Sequence, residues 1–223
     1  EKMLNKRDDN MSSFKLKMIA ITTMLIDHIG SIIFPEYIIL RVIGRLAFPL
    51  FAFLITEGYR HTSNINRYLV RLSIFALISQ YPFWLAFGFN MRLNIFFTLA
   101  FGLLAIYLSE KYDNILPVII LALLADLIST DYGAFGILLI YFIHIFRNDF
   151  IKMVGTSSLL YVGFYLVGGL MAGFNAIYYY IQFFALLSFL FIKLYDGSQG
   201  PKLKYFFYLF YPVHLLILGL LFS

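Results

Sequence analysis

Cysteine is absent from the 223 residues. That excludes a disulfide framework, a thiol nucleophile and a zinc–thiolate site. Charge is scarce: 13% of residues are charged, against 61% hydrophobic and 20% aromatic. A soluble domain is nearer half apolar and a quarter charged. The mean hydropathy of +0.84 leaves no room for a sizeable soluble domain. There is no H-E-x-x-H, no Gly-rich phosphate loop and no G-x-S-x-G. No metal-ligand spacing stands out, and nucleophilic serine catalysis is unsupported. No internal repeat can be read, which argues against transporter folds built from two related halves. The first apolar run is long and no A-x-A-like site follows it, so a cleavable signal peptide is not expected.

What is present is a series of apolar runs at 16–33, 38–59, 68–88, 95–109, 115–128, 132–147, 154–172, 176–194 and 205–222. Several fall short of the roughly 20 residues that span a bilayer untilted. They predict an all-α, polytopic integral membrane bundle of about nine transmembrane helices. A polar tail covers 1–13 and a single transmembrane domain covers 14–223. With the N-terminus in the cytoplasm, all Lys and Arg except Arg41, Arg45 and Arg92 fall on the inner side, as the positive-inside rule requires. This orientation predicts an outer C-terminus, and the basic residues need no nucleic acid to explain them. Short loops predict that consecutive helices pack as antiparallel neighbours. The tract 195–202, YDGSQGPK, reads as the one flexible loop. GLMAG at 169–173 matches a small-xxx-small packing pattern.

Charged groups in hydrocarbon are costly, so each one in a span is a functional candidate or a paired structural group. In LIDHIGSIIF, residues 25–34, Asp27 and His28 are adjacent. On a helix they point about 100° apart. Asp27 is expected to pair with Arg41 or Arg45, which stand four apart on one face of the next helix. His28 lies roughly 16 Å past Lys17 and His214 roughly 15 Å past Lys204, from a rise of about 1.5 Å per residue. Both therefore reach the midplane. Asp126 and Arg45 lie in the outer third, and Asp131 in the turn STDYG caps the band. Pro49 should kink the second helix. Glu57, His61 and His144 read as ion-paired or interfacial groups at the inner end. Tyr205, Tyr208 and Tyr211 recur at helical spacing and read as packing or an interfacial belt. Pro212 precedes His214, where a kink would aim the imidazole into a cavity.

The stretches LKMIAITTMLIDHIG, RVIGRLAFPLFAFLITEGYRHT, YLVRLSIFALISQYPF, LNIFFTLAFGLL, DYGAFGILLI and YFFYLFYPVHLLIL together resemble the TraX family, in family order. The segment 148–200 matches least distinctly. The DH of the first helix and GRLAFPLF of the second more remotely resemble membrane acetyltransferases typified by heparan-alpha-glucosaminide N-acetyltransferase. The resemblance implies a bacterial inner-membrane N-acetyltransferase that uses acetyl-CoA, the family's namesake acetylating conjugative pilin. It points to Asp27, His28, Arg45, Glu57, Arg71, Asn94, Asp131 and His214.

Acyl transfer to an amine needs a base and a stabilised oxyanion. His28 is the expected base, with His214 the other candidate. Asp27 or Asp131 would orient the histidine. Arg45 would stabilise developing charge or neutralise Asp27. Arg60, Arg67, Arg71, Lys202 and Lys204 suit the phosphates of coenzyme A at the inner face, although topology alone also accounts for basic residues there. The acceptor would be a peptide, protein or lipid reaching the site from the bilayer or the outer side. The competing readings are a proton-coupled or small-solute transporter, which uses the same buried groups, and a non-catalytic assembly factor.

Overall fold

The computed structural model describes residues 11–89, 91–172 and 176–222. Most of the polar tail, with Lys2, Lys6 and Arg7, and Gly173 of the 169–173 pattern lie outside these residues. The described chain folds into helical rods: α1 (Ser13–Ile32), α2 (Ile38–His61), α3 (Ile65–Phe87), α4 (Ile95–Tyr112), α5 (Leu116–Leu127), α6 (Gly133–Ile145), α7 (Phe150–Met171), α8 (Ala176–Lys193) and α9 (Lys204–Phe222). Among the described residues no strand pairs into a sheet; two isolated bridges occur, Met11 with Tyr195 and Leu93 with Thr130.

Six of these rods, α2, α3, α4, α7, α8 and α9, are long and apolar enough to cross a membrane. The expectation of nine crossings is not met to that standard. α1 has the length, but Lys15, Lys17 and Asp27 interrupt its apolar run. α5 and α6 are apolar but short, with 12 and 13 residues. The large apolar side chains left exposed are what a bilayer, and not water, would cover. On α3 they are Val70, Ile74, Leu77, Ile78 and Tyr81, the face opposite its buried Leu72, Phe75, Ala76 and Phe83.

Side-chain caps set several helix starts. Ser12 accepts from the Lys15 amide, Asn64 from Arg67 and Asp149 from Lys152. Each satisfies a backbone donor that the first turn leaves without a partner. Proline acts differently from the simple kink expected. α2 breaks at Arg45–Leu46 and restarts at Ala47, so Pro49 sits in the first turn of the new segment. A proline ring clashes with the carbonyl four residues earlier, here that of Arg45, and its missing N–H is harmless in a first turn. α9, by contrast, runs unbroken through Pro212.

The core joins Leu16 and Ala20 of α1, Leu50 and Phe53 of α2, Leu72 of α3, Leu103 of α4, Leu139 and Ile140 of α6 and Leu215 of α9. A smaller cluster forms between α4, α5 and α6. α1 packs on α2 and α9, and α9 packs along α3. Consecutive rods are not all neighbours: α2 and α3 diverge from their turn instead of packing along their length, and a cavity opens between them. Gly168 and Gly169 lie against the rings of Tyr179 and Tyr180, so α7 and α8 approach closely where the small residues occur.

Candidate functional site

The break in α2 turns Arg41 and Arg45 toward α1. Arg41 Nη1 donates to Asp27 Oδ2 at 2.9 Å and to the Asp27 carbonyl at 3.0 Å. Arg45 Nη2 donates to Asp27 Oδ1. Asp27 therefore pairs with both arginines, where one was expected. Gly44 is what allows this approach: a Cβ there would stand 2.2 Å from Asp27 Cβ. Arg45 is fixed further by its bonds to the Arg41 carbonyl (3.1 Å) and Gln182 Oε1 of α8 (3.3 Å). Two guanidinium groups against one carboxylate leave a net positive charge at this depth.

His28 projects the other way, to α9. Its Nδ1 lies 2.7 Å from His214 Nε2, and His214 Nδ1 lies 2.6 Å from the Phe210 carbonyl. A carbonyl can only accept, so His214 Nδ1 carries a hydrogen. In the neutral ring His214 Nε2 is then an acceptor, and His28 must donate from Nδ1. The hydrogen-bond network thus leaves the lone pair of His28 on Nε2, the form that takes up a proton. The rings are oriented by each other and by a backbone carbonyl. Asp27 is taken up by the arginines and does not orient His28, as had been expected of it or of Asp131.

Asp131 sits in the α5–α6 turn within electrostatic reach of Arg92, Arg45 and Arg41. Burial pushes its carboxyl above the usual range, against the pull of those three cations. Beside it Tyr132 stacks on Phe48 with ring centroids 3.7 Å apart. Asp126 accepts from the Ala134 amide at 2.7 Å and so ties down the start of α6. Its role is structural.

At the other end of the bundle lies the cavity, of about 730 Å³, between α1, α2, α3, α4 and α9. Lys17, Arg71, Lys202 and Lys204 line its mouth, and Met24, Phe51, Leu54, Ile95, Phe96 and Tyr211 its apolar depth. Arg71 Nε donates to the Tyr208 hydroxyl at 3.3 Å, and the guanidinium lies over the rings of Tyr68 and Tyr208. The arginine is thus held in place by aromatic faces. Arg60 and Arg67 do not line this cavity; Arg60 reaches Asn148 at 3.3 Å over a separate surface pocket, and Arg67 is exposed on the first turn of α3. Lys17 takes their place at the mouth. Nothing in its local sequence distinguishes it from the other basic residues of the inner side.

Two further groups resolve as structural. Glu57 is buried and pairs with Arg147 at 2.7 Å, while Glu110 accepts from Tyr59 and binds His144 at 2.8 Å. Asn94 is fully buried. It caps α4 at the Phe96 amide and bonds the Ala76 carbonyl and Gln80. Tyr132, Gln182 and the Phe210 carbonyl belong to the site although nothing in their local sequence marked them.

The family model described as TraX protein matches residues 12–222. The chain is 30% identical over 237 aligned residues to the probable fimbrial assembly protein FimC, serogroup H1, of Dichelobacter nodosus, covering 95% of this chain and 96% of that protein. It is 35% identical over 97 residues to an uncharacterized protein of Rickettsia prowazekii, covering 44% of this chain and 34% of that one. No solved structure matches.

Proposed function

The chain belongs to the TraX family of multi-pass membrane proteins, and from that premise we propose that it is an acetyl-CoA-dependent N-acetyltransferase of the bacterial inner membrane. The observation that carries the reading is a two-part arrangement. A basic-mouthed, apolar cavity opens at one end of the bundle, and a hydrogen-bonded histidine pair stands beyond its deep end. The phosphates of the thioester substrate suit Arg71, Lys17, Lys202 and Lys204, and its pantetheine arm suits the apolar interior. Nine crossings with a cytoplasmic N-terminus put that mouth in the cytosol, where the substrate is. The distribution of Lys and Arg supports this orientation.

The acceptor amine attacks the thioester carbonyl and its proton passes to His28 Nε2. The new imidazolium donates from Nδ1 to His214, whose own N–H is held by the Phe210 carbonyl, so the charge is spread along a fixed relay. The oxyanion forms within the field of the Arg41–Arg45 pair, whose net charge beside Asp27 is positive. Collapse of the tetrahedral adduct breaks the carbon–sulfur bond and leaves the amide; the expelled thiolate takes the proton back from His28 Nε2, which returns the relay to its neutral form. The name of the Dichelobacter relative supports a fimbrial subunit as the acceptor class, with another peptide, protein or lipid as the alternatives.

The decisive experiment is acetyl-CoA binding to the purified, folded protein in detergent by calorimetry, with adenosine as control. Saturable binding supports the reading. Its absence turns the assignment to a transporter, for which proton flux is the assay. Given binding, His28→Ala is expected to lower acetyl transfer by about 10²–10⁴-fold; full retained transfer would remove His28 as the base.

A further inference from the structure

One side chain, Tyr211, both lines the cavity and packs against the histidine pair. Tyr211 lines the cavity, whereas His28 and His214 are not among its walls. The Tyr211 ring stands edge-on to His28, with centroids 6.1 Å apart, and to His214 at 5.7 Å. It also stands perpendicular to Phe96 at 5.3 Å, and Phe96 itself lines the cavity. Tyr211 is 3% exposed, and its hydroxyl lies against the backbone of Ile95, the first residue of α4. The ring is therefore wedged between α1, α4 and its own helix. Seven residues separate Lys204 from Tyr211 and Lys17 from Met24, roughly 10 Å of helix in each case. The cavity thus runs from its basic mouth to this ring.

We propose that Tyr211 is the partition between the cavity and the histidine pair: in the resting protein it bars whatever occupies the cavity from His28, and it must swing aside for the two to meet. Tyr211 is on this account a positioning residue. The proposal rests on the acyltransferase reading only for the identity of the occupant.

The native chain has no cysteine, so single cysteines report access without background. Sealed membrane vesicles of both orientations are treated with a membrane-impermeant methanethiosulfonate. Met24→Cys, in the cavity wall, is expected to react from one side only, the side of the basic mouth. His28→Cys is expected to stay unreactive from that side while Tyr211 is present, and with Tyr211→Phe. With Tyr211→Ala its labelling rate from that side should rise at least tenfold. Reaction of His28→Cys from the Met24 side with Tyr211 intact overturns the proposal. So does a Tyr211→Ala variant that leaves it unreactive, or a Met24→Cys that reacts from neither side. If Tyr211→Ala does not fold, the intact-ring arm still decides, and Tyr211→Val repeats the opening arm. Acetyl-CoA protection of Met24→Cys separates the two readings: no protection with the access pattern intact sinks the acyltransferase and leaves the partition standing.

Discussion

Two cations converge on one carboxylate at Asp27, and this sets what can be changed there. Asp27→Asn would leave Arg41 and Arg45 without the carboxylate they are bonded to, in a largely buried place. Breaking a buried pair in this way is destabilising by about 3–5 kcal/mol, so we expect a marked fall in thermal stability in detergent. Asp27→Asn combined with Arg41→Leu should recover part of that loss, because it removes one of the stranded charges. A double variant no better than the single would mean that the carboxylate, and not its pairing, carries the stability. Gly44→Ala tests the same contact from the helix side. The added methyl meets Asp27 Cβ at 2.2 Å, an atom fixed to the backbone of α1. Overpacking of this kind destabilises by about 1–3 kcal/mol, and an unchanged melting temperature would show that α1 and α2 can part freely.

At the scale of the element, the break in α2 brings Arg45 to Asp27, and Pro49 is its sequence cause. Pro49→Ala restores an amide able to donate to the Arg45 carbonyl. Hydrogen exchange across residues 45–49 should then slow as the helix closes. Unchanged or faster exchange would mean that the pull of Asp27 on Arg45 makes the break. The proline signal was legible from the place of Pro49 within an apolar run; its displacement by one turn follows from which carbonyl the ring strikes. The divergence of α2 and α3 was not legible. A three-residue turn at 62–64 joins them, and loop length favours packing, but the rods are held apart by contacts with α1, α4 and α9 that lie far along the chain.

For the whole molecule the number of crossings decides where the ends lie. Nine crossings put residues 11 and 222 on opposite sides of the membrane, and any even number puts them together. Topology reporters fused at each end should respond from opposite sides; two responses from one side would refute the nine-crossing proposal. Such a result would mean that an odd number of the three remaining rods does not cross: α1, interrupted by charge, or α5 or α6, neither long enough to span untilted. The six longer rods would be untouched by it.

Composition and periodicity determined that this is an all-helical membrane protein, where its rods begin and end to within a few residues, and which of its charges lie within apolar runs. Those properties are local: hydropathy is summed over a window, and a lone charge in an apolar run needs no partner to be noticed. Asp27 with an arginine of the next helix was within reach for the same reason, the partners being 14 and 18 residues away. Only the tertiary structure joined His28 to His214 across 186 residues, set Tyr211 between them and the cavity, and turned Lys17 and Arg71 into that cavity while leaving Arg60 and Arg67 outside it. The rotation of each rod about its axis and the choice of its neighbours decide those contacts, and both are settled by packing against distant segments that no local pattern encodes.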